Sequence, residues 1–257
     1  MKIFRVFIFI SISQFVQAQT KNATQIPVKG YELLWNDEFT GKELDFSKWI
    51  YRGLGRRGDA YNVRESIFLN GKGHLVIEAR QKGDSVLTGM IATEGIFESQ
   101  FGYFECKAQL NKTRGIWSAF WLQSSINTDF GTPQLNGVEI DIFEYFIHDS
   151  KDSVSHTLHW GGYKSTHKVA GPVKGKLKKT KDNFHTFGLE WTPTYYATYV
   201  DGTQTYFYQG PLISKVKEFM ILSLHVDKKV AGPLKIENLP DSMRVDYVRV
   251  YKKISGK

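Results

Sequence analysis

The sequence predicts an all-β protein, folded as a sandwich or closed barrel of antiparallel strands. Apolar and polar residues alternate with the two-residue period of half-buried strands along most of the chain. Turn dipeptides such as Asn70-Gly71 and Asp201-Gly202 separate these segments, and no helical crossovers of the kind that parallel sheets need lie between them. With 257 residues, of which 41% are hydrophobic, the chain is long enough to bury a sizeable core.

The alternation defines ten candidate strands, and only Pro211–Phe219 has the pattern of a short helix. The strands are predicted at His74–Arg80, Gly102–Leu110, Ile116–Leu122, Val138–Phe146, Val154–Trp160, Phe184–Trp191, Tyr195–Val200, Thr203–Tyr208, Phe219–Leu224 and Arg244–Tyr251. No repeat, linker or change in composition divides them. We therefore predict a single domain over residues 19–257.

Residues 1–18 are typical of a secretory signal peptide. They comprise a basic start at Met1–Arg5, an apolar run at Val6–Val16 and a small-residue cleavage site at Val16–Ala18. The run is too short to span a membrane comfortably, and no cysteine follows it to carry a lipid. We expect a mature protein that begins near Gln19, has no membrane span and is secreted or periplasmic.

The positive charge of the chain is concentrated in one segment. The formal net charge is +8, and it falls to +6 without residues 1–18, because two basic residues and no acidic residue lie there. The segment Lys164–Lys181 alone holds seven lysines and no acid. We predict that it is a solvated loop, and the alternative is that it binds an anionic ligand. No nucleic-acid motif accompanies it, so we expect no nucleic-acid partner, and we expect a monomer.

One strand combines three carboxylates with a break in the alternation. Glu139 and Asp141 share a face, whereas Glu144 would point into the core of a regular strand, where an unpaired carboxylate is costly. A β-bulge near Phe143 would return Glu144 to the face of the other two acids. The sequence therefore predicts a bulged acidic strand, a feature common beside active sites.

Three carboxylates on one face repel one another, and catalysis is one reason to keep them together. Glutamates at positions 139 and 144 could approach to about 5 Å, the separation found in retaining glycosidases. One acid would stay ionised as nucleophile, while its neighbours' charge would keep the other protonated as a general acid. The residues alone leave a calcium-binding or merely solvated acidic strand equally open.

The segment Glu139–Glu144 resembles the Glu-x-Asp-x-x-Glu signature of glycoside hydrolase family 16, which includes laminarinases, lichenases, agarases, porphyranases and carrageenases. Other segments resemble landmarks of that family, in the family's order and over nearly all of the mature chain. They are Trp35–Phe39, Phe101–Glu105, Trp117–Leu122, Phe184–Phe187, Glu190–Pro193, Tyr199–Gly202 and Asp246–Tyr251.

The resemblance implies a jelly-roll sandwich of two curved antiparallel sheets with a concave substrate cleft. It implies a secreted endo-β-glycanase that cleaves a polysaccharide with retention and requires no cofactor for catalysis. Glu139 resembles the nucleophile, Glu144 the acid/base, and Asp141 the carboxylate that orients and tunes the nucleophile. Hydrolysis and transglycosylation share the covalent intermediate, so the sequence does not separate them.

Residues around the acids are candidate sugar contacts. Trp117 and Trp121 lie on one face of a strand and would form a stacking platform for sugar rings. His159 resembles a histidine that the family often keeps near the acid/base. Tyr61 and Asn62 lie in a loop that in this family reaches the cleft, although a plain surface role is an equal alternative.

The resemblance also implies a structural calcium ion, with Asp246 as side-chain ligand and further ligands from the region of Glu38. Three departures from the family pattern concern the cleft, and the first is Ser118, where many laminarinases carry a proline. Met90 stands where many members have an arginine, and His225–Lys229 replaces a glycine- and tryptophan-containing segment.

These departures leave the substrate open. We expect a β-1,3- or mixed-linkage β-glucan first, because of the tryptophan platform. A sulfated or agar-type galactan is the alternative, favoured by the lysine segment and by Arg56-Arg57. A non-catalytic, lectin-like module on the same fold is the second alternative, although such proteins usually lose one or both glutamates.

Overall fold

A computed structural model describes residues 29–126 and 132–254, and the chain in these ranges is an antiparallel β-sandwich. The predicted signal peptide lies outside the described residues. The first strands are β1 Tyr31–Asp37, β2 Ile50–Tyr51, β3 Gly55–Arg57, β4 Ala60–Asn62, β5 Ile67–Leu69, β6 Leu75–Lys82, β7 Ser85–Ala92, β8 Gly102–Gln109 and β9 Ile116–Gln123. The remaining strands are β10 Glu139–Phe146, β11 Ser153–Trp160, β12 Lys168–Lys176, β13 Phe184–Trp191, β14 Tyr196–Val200, β15 Thr203–Tyr208, β16 Phe219–Val226 and β17 Asp241–Lys253.

Two sheets enclose the core. One sheet follows the order β1–β17–β8–β13–β14–β15. The other follows the order β7–β16–β9–β10–β11–β12 and is called the site sheet here, because it contains the acidic strand β10. Strand β6 pairs with both β17 and β7 and so links the two sheets. Aromatic side chains from both sheets meet between them, as where the rings of Phe143 and Phe187 lie 4.0 Å apart. The single cysteine, Cys106, is fully buried in this core.

The predicted helix at Pro211–Phe219 is wrong. The described helices are two short α-helices, α1 Pro133–Asn136 and α2 Lys228–Ala231, and two turns of 3₁₀-helix, Arg64–Ser66 and Ile236–Asn238. The backbone of 211–219 is instead held by side chains of the opposing sheet. Tyr196 donates to the carbonyl of Leu212 at 3.1 Å and accepts from the amide of Ser214 at 2.6 Å. These bonds satisfy the backbone polar groups without helical hydrogen bonds.

The prediction that the lysine segment 164–181 is a solvated loop is wrong for its middle, although the residues on either side lie outside any strand or helix. Lys168–Lys176 forms β12, the edge strand of the site sheet beside β11. Lys174 pairs with Asp149 and donates to Ser155 Oγ at 3.0 Å. Lysines on an edge strand discourage pairing with another chain, which gives this composition a structural reason. No helix among the described residues is long and apolar enough to cross a membrane.

Candidate active site

The bulge predicted in the acidic strand is confirmed. On β10, Asp141 lies opposite Thr157 and Glu144 lies opposite Ser155, so two residues of β10 face only one residue of β11. The register with β9 shifts at the same place, between Asp141 and Phe143. The extra residue brings all three acids to the outer face of the site sheet, while Ile142 and Phe143 remain in the core.

His156 stabilises this bulge from the core side. A bulge leaves a backbone carbonyl without its ladder partner, and here Nδ1 of His156 lies 2.6 Å from the carbonyl oxygen of Ile142. The other ring nitrogen contacts Thr205 Oγ1 at 2.8 Å. Burial lowers the pKa of His156 to about 4, so the ring is neutral at pH 7. Sequence reasoning missed this residue; its polar side chain at a core position of β11 was the available signal.

The three acids lie in a cleft made of two adjoining cavities. One cavity has a volume of about 420 Å³ and the other about 600 Å³. Both are lined by Glu139, Glu144, Trp117 and Tyr163. The acids therefore have room for ligand on two sides.

Burial raises the pKa of all three carboxyl groups. For Glu144 the negative charge of Asp141 adds to the effect of burial, so Glu144 holds a proton well above its usual range. For Asp141, the charge of Glu139 acts in the same direction. The rise is opposed at Glu139 by a hydrogen bond from Tyr163 and by the nearby His159 and Arg57. The pKa therefore rises less at Glu139 than at Glu144, so Glu139 loses its proton before Glu144 does.

Each acid lies beside polar side chains of the cleft. Oε2 of Glu139 accepts from Tyr163 and, at 3.2 Å, from Nε2 of Gln123. Oε2 of Glu144 accepts from the hydroxyl of Thr157 at 3.2 Å. Oδ2 of Asp141 lies 3.2 Å from Nε2 of His159.

Comparison with known proteins identifies the family. The family model of glycosyl hydrolases family 16 matches residues 51–213. This chain belongs to glycosyl hydrolases family 16. Retention of configuration is characteristic of that family. The expected jelly-roll fold is confirmed by the laminarinase structures that it resembles.

Curated relatives span several activities. The chain is 30% identical to a keratan-sulfate endo-1,4-beta-galactosidase of Sphingobacterium multivorum over 255 residues, which cover 92% of this chain and 59% of that enzyme. It is 28% identical to a beta-glucanase of Rhodothermus marinus over 248 residues, covering 86% of this chain and 85% of that enzyme. The chain thus spans little more than half the length of the first relative.

Solved structures give the same family. The laminarinase from Flavobacterium sp. UMI-01 superposes with a TM-score of 0.74 at 25% identity, covering 86% of this chain and 100% of that one. The catalytic domain of an endo-1,3-beta-glucanase from Thermotoga petrophila RKU-1 gives a TM-score of 0.74 at 27% identity, covering 89% and 100%.

The two tryptophans expected to bind sugar differ in exposure. Trp117 is half-buried, lines both cavities, and stacks against His225 with ring centroids 4.8 Å apart. Trp121 is only 7% exposed, and its indole nitrogen donates to Ser223 at 3.2 Å. Trp117 is therefore a wall open to ligand, while Trp121 forms the packed floor of the cleft. His159 lines the larger cavity, as the family resemblance implied.

The β3–β4 hairpin places Arg57, rather than Tyr61 or Asn62, in the cleft of this family member. Asn62 is 2% exposed and donates to the carbonyl of Gly53 at 3.0 Å, so its side chain supports the backbone. Tyr61 is 38% exposed and is not among the residues that line the two cavities. Arg57 lines the smaller cavity and approaches the sulfur of Met90 at 3.5 Å. A guanidinium thus occupies the region where many family members carry arginine at the position of Met90.

The residues expected to bind calcium do not fit a cation site. Both oxygens of Glu38 accept from Arg249, each at 2.8 Å. Asp246 lies 3.1 Å from the ammonium group of Lys107 and 3.8 Å from His74. Calcium needs several oxygen ligands and no competing cation, whereas each of these carboxylates already faces basic side chains. No step of the reaction is assigned to a metal.

Proposed function

We propose that this chain is an exported endo-β-glycanase that hydrolyses internal bonds of β-1,3- or mixed-linkage β-1,3-1,4-glucan with retention. The observation that carries the proposal is the placement of Glu139 and Glu144 on one bulged strand between two adjoining cavities. Room for sugar residues on both sides of the acids suits cleavage within a chain. The beta-glucanase and laminarinase names of several relatives support the substrate class.

The reaction follows the two-step route of retaining glycosidases. Glu139 attacks the anomeric carbon, the glycosidic bond breaks, and Glu144 gives its proton to the departing sugar oxygen. Water then attacks the same carbon, Glu144 takes its proton, and the bond to Glu139 breaks. Burial together with the charge of Asp141 keeps Glu144 protonated for the first step.

Product release from a polysaccharide panel tests the proposal. Laminarin and barley mixed-linkage glucan are compared with agarose, porphyran and carrageenan, using wild type beside Glu139→Ala and Glu144→Ala. We expect oligosaccharides from a neutral glucan, loss of turnover in both variants, and a first product that keeps the β configuration by proton NMR. Binding without cleavage of every substrate would instead favour a lectin-like module.

A second candidate substrate is a sulfated or agar-type galactan. The half-buried guanidinium of Arg57 faces the cleft, and a sulfate group is a natural partner for such a cation. The relatives include the keratan-sulfate endo-1,4-beta-galactosidase and a beta-porphyranase B of Zobellia galactanivorans, 29% identical over 64% of this chain. Release of products only from porphyran or carrageenan would select this candidate.

Export is part of the same proposal and rests on the sequence of residues 1–18. Expression of the full chain in a Gram-negative host, followed by N-terminal sequencing of the mature protein, tests it. We expect processed protein outside the cytoplasm with its N terminus near Gln19. Unprocessed protein confined to the cytoplasm would contradict export and leave the proposed reaction untouched.

A further inference from the structure

A chain of hydrogen bonds ends on one oxygen of the nucleophile. Nη2 of Arg52 donates to Oε1 of Gln123 at 2.6 Å, Nε2 of Gln123 donates to the hydroxyl of Tyr163, and that hydroxyl donates to Oε2 of Glu139. Glu94 pairs with Arg52 at the far end of the chain. Because Arg52 occupies the amide oxygen of Gln123, the amide nitrogen faces Tyr163. The tyrosine proton is therefore left for Glu139.

Tyr163 is held in place by a folded loop between β11 and β12. Gly161 has a φ of +76°, and a side chain there would lie 2.5 Å from the carbonyl oxygen of Thr166. The hydroxyl of Thr166 donates to the carbonyl of Gly161 at 2.7 Å, which closes the loop on itself. His167, at the end of the loop, lies 5.9 Å from the Tyr163 ring and stacks on His159. The loop thereby places the hydroxyl over the acids.

The hydrogen bonds distinguish the two oxygens of Glu139. Tyr163 and Gln123 both donate to Oε2, whereas Oε1 has no hydrogen-bond partner among the described residues. An oxygen without donors is the better nucleophile, because its lone pairs are not engaged. The geometry therefore leaves Oε1 free to attack the anomeric carbon. Oε2 is the oxygen whose negative charge the two donors stabilise.

From this arrangement we propose that Tyr163 is a further catalytic residue of the double displacement. The inference rests on the proposed retaining reaction. In the first step, the bond between the anomeric carbon and Oε1 forms, the glycosidic bond breaks, and the Glu144 proton passes to the leaving oxygen. Oε2 becomes the carbonyl oxygen of the ester and keeps its hydrogen bond from Tyr163.

The second step returns negative charge to the oxygen that Tyr163 holds. Water attacks the anomeric carbon and gives a proton to Glu144, and the bonding pair of the ester bond returns to the Glu139 carboxylate. The Tyr163 hydroxyl donates to that carboxylate and keeps its own proton throughout. Although the Tyr163 side chain is 56% exposed, desolvation of its hydroxyl in the cleft and the charge of Glu139 raise its pKa above the usual value, so it remains a donor at neutral pH.

The hydrogen bond has a predictable effect on the titration of Glu139. Donation by Tyr163 stabilises the anion and lowers the pKa of Glu139 against the effect of burial. Charged and titratable groups also face Glu139 from its own strand, from β11, from the β11–β12 loop, from the β3–β4 hairpin and from the residue just before β16. These groups are Asp141, Glu144, His159, His167, Arg57 and Glu218. Tyr163→Phe leaves every one of them in place, so a change in the pH profile reports on the hydroxyl.

The test compares Tyr163→Phe with wild type and with Tyr206→Phe, which removes a hydroxyl from β15 in the opposite sheet. The pH dependence of kcat/KM is measured on laminarin and, in parallel, on porphyran. We expect Tyr163→Phe to lower kcat about 10- to 100-fold, with a smaller change in KM, and to shift the acid limb upward by about one pH unit. Tyr206→Phe should match wild type.

Two outcomes overturn the inference. A wild-type kcat and acid limb in Tyr163→Phe would show that the hydroxyl takes no part in the reaction. An effect on KM alone would make Tyr163 a sugar contact instead. Gln123→Met, which keeps the size of the side chain but removes its amide, should shift the acid limb in the same direction and serves if Tyr163→Phe folds poorly. If wild type cleaves porphyran but not laminarin, the proposed glucan substrate is wrong. The comparison of Tyr163→Phe with wild type is then made on porphyran, so the inference about Tyr163 is still tested.

Discussion

The buried carboxyl of Glu218 holds the backbone of Val138, the residue immediately before Glu139, the proposed nucleophile. Oε1 of Glu218 accepts from the amide of Val138 at 3.1 Å, and the side chain is 1% exposed. Burial raises the pKa of Glu218 to about 8. At pH 7 Glu218 is therefore a neutral carboxyl group that fixes the position at which β10 begins.

The first prediction is that Glu218→Gln removes a pH dependence of stability. The folded state keeps the Glu218 proton that an unfolded chain loses near pH 4.5, so stability is greatest at low pH and falls as the pH rises toward about 8. The slope is about 1.4 kcal/mol per pH unit. Glutamine keeps an acceptor for the amide of Val138 and does not ionise. Between pH 5 and 8, the free energy of unfolding of Glu218→Gln should therefore change by about 4 kcal/mol less than that of wild type.

Urea unfolding of wild type and Glu218→Gln at several pH values between 5 and 8 measures how the free energy of unfolding of each protein depends on pH. Asp141 and Glu144 also have raised pKa values and contribute the same trend, so the test compares the pH curves of the two proteins with each other. Parallel curves for wild type and Glu218→Gln would mean that Glu218 is ionised in the folded protein.

The second prediction concerns the bulge. His156→Ala leaves the carbonyl of Ile142 without its donor in the core and should cost about 2–3 kcal/mol of stability. It should also lower kcat by at least about tenfold, because Glu144 depends on the bulge to reach the cleft. Val154→Ala, at a buried position on the same strand, is the matched control.

The control separates stability from geometry. Val154→Ala should destabilise the protein by a comparable amount through the lost methyl groups, yet retain kcat at a temperature where both variants are folded. Equal retention of kcat in both variants would show that the bulge forms without His156. Denaturant unfolding and initial rates on the same samples provide both numbers.

The acidic strand could be predicted from the sequence because its reason is local. Glu144 breaks the parity set by Glu139 and Asp141, and only an added residue keeps a carboxylate out of the core. The bulge followed from these three positions alone, and the register between β10 and β11 confirms it. The positions of most of the long strands could also be predicted, because apolar core residues alternate along them.

The rest depends on contacts between distant residues. Strand β12 lies at the edge of a sheet and lacks an alternation of apolar residues. Its lysine-rich sequence therefore predicts a loop rather than a strand. The segment 211–219 looked helical, but its backbone bonds to Tyr196 from another strand. Tyr163 bonds to Glu139 across 24 positions, through a loop whose shape depends on Gly161. No pattern of neighbouring residues encodes such contacts.

The third prediction separates the two tryptophans of the cleft. Trp117→Ala should raise KM about five- to tenfold with little loss of stability, because a stacking contact is worth about 0.5–1.5 kcal/mol beyond its area. Trp121→Ala should instead cost about 3–5 kcal/mol of stability, because Trp121 is packed in the floor and bonded to Ser223. Thermal unfolding and Michaelis kinetics on both variants measure the contrast. A large loss of stability in Trp117→Ala would place it in the core instead.

The fourth prediction uses Arg57 to separate the candidate substrates. Arg57 lines the cleft, whereas Arg56, its neighbour on β3, is exposed, so Arg56→Gln controls for the loss of one charge. On laminarin, Arg57→Gln should raise KM a few-fold at any salt concentration, because only hydrogen bonds to sugar hydroxyls are lost. On a sulfated galactan, the loss should exceed about tenfold at low salt and shrink as salt is added, because salt screens the pairing of sulfate with the guanidinium. Initial rates at two salt concentrations on laminarin and porphyran distinguish the two patterns, and equal rates for Arg57→Gln and Arg56→Gln would exclude Arg57 from substrate binding.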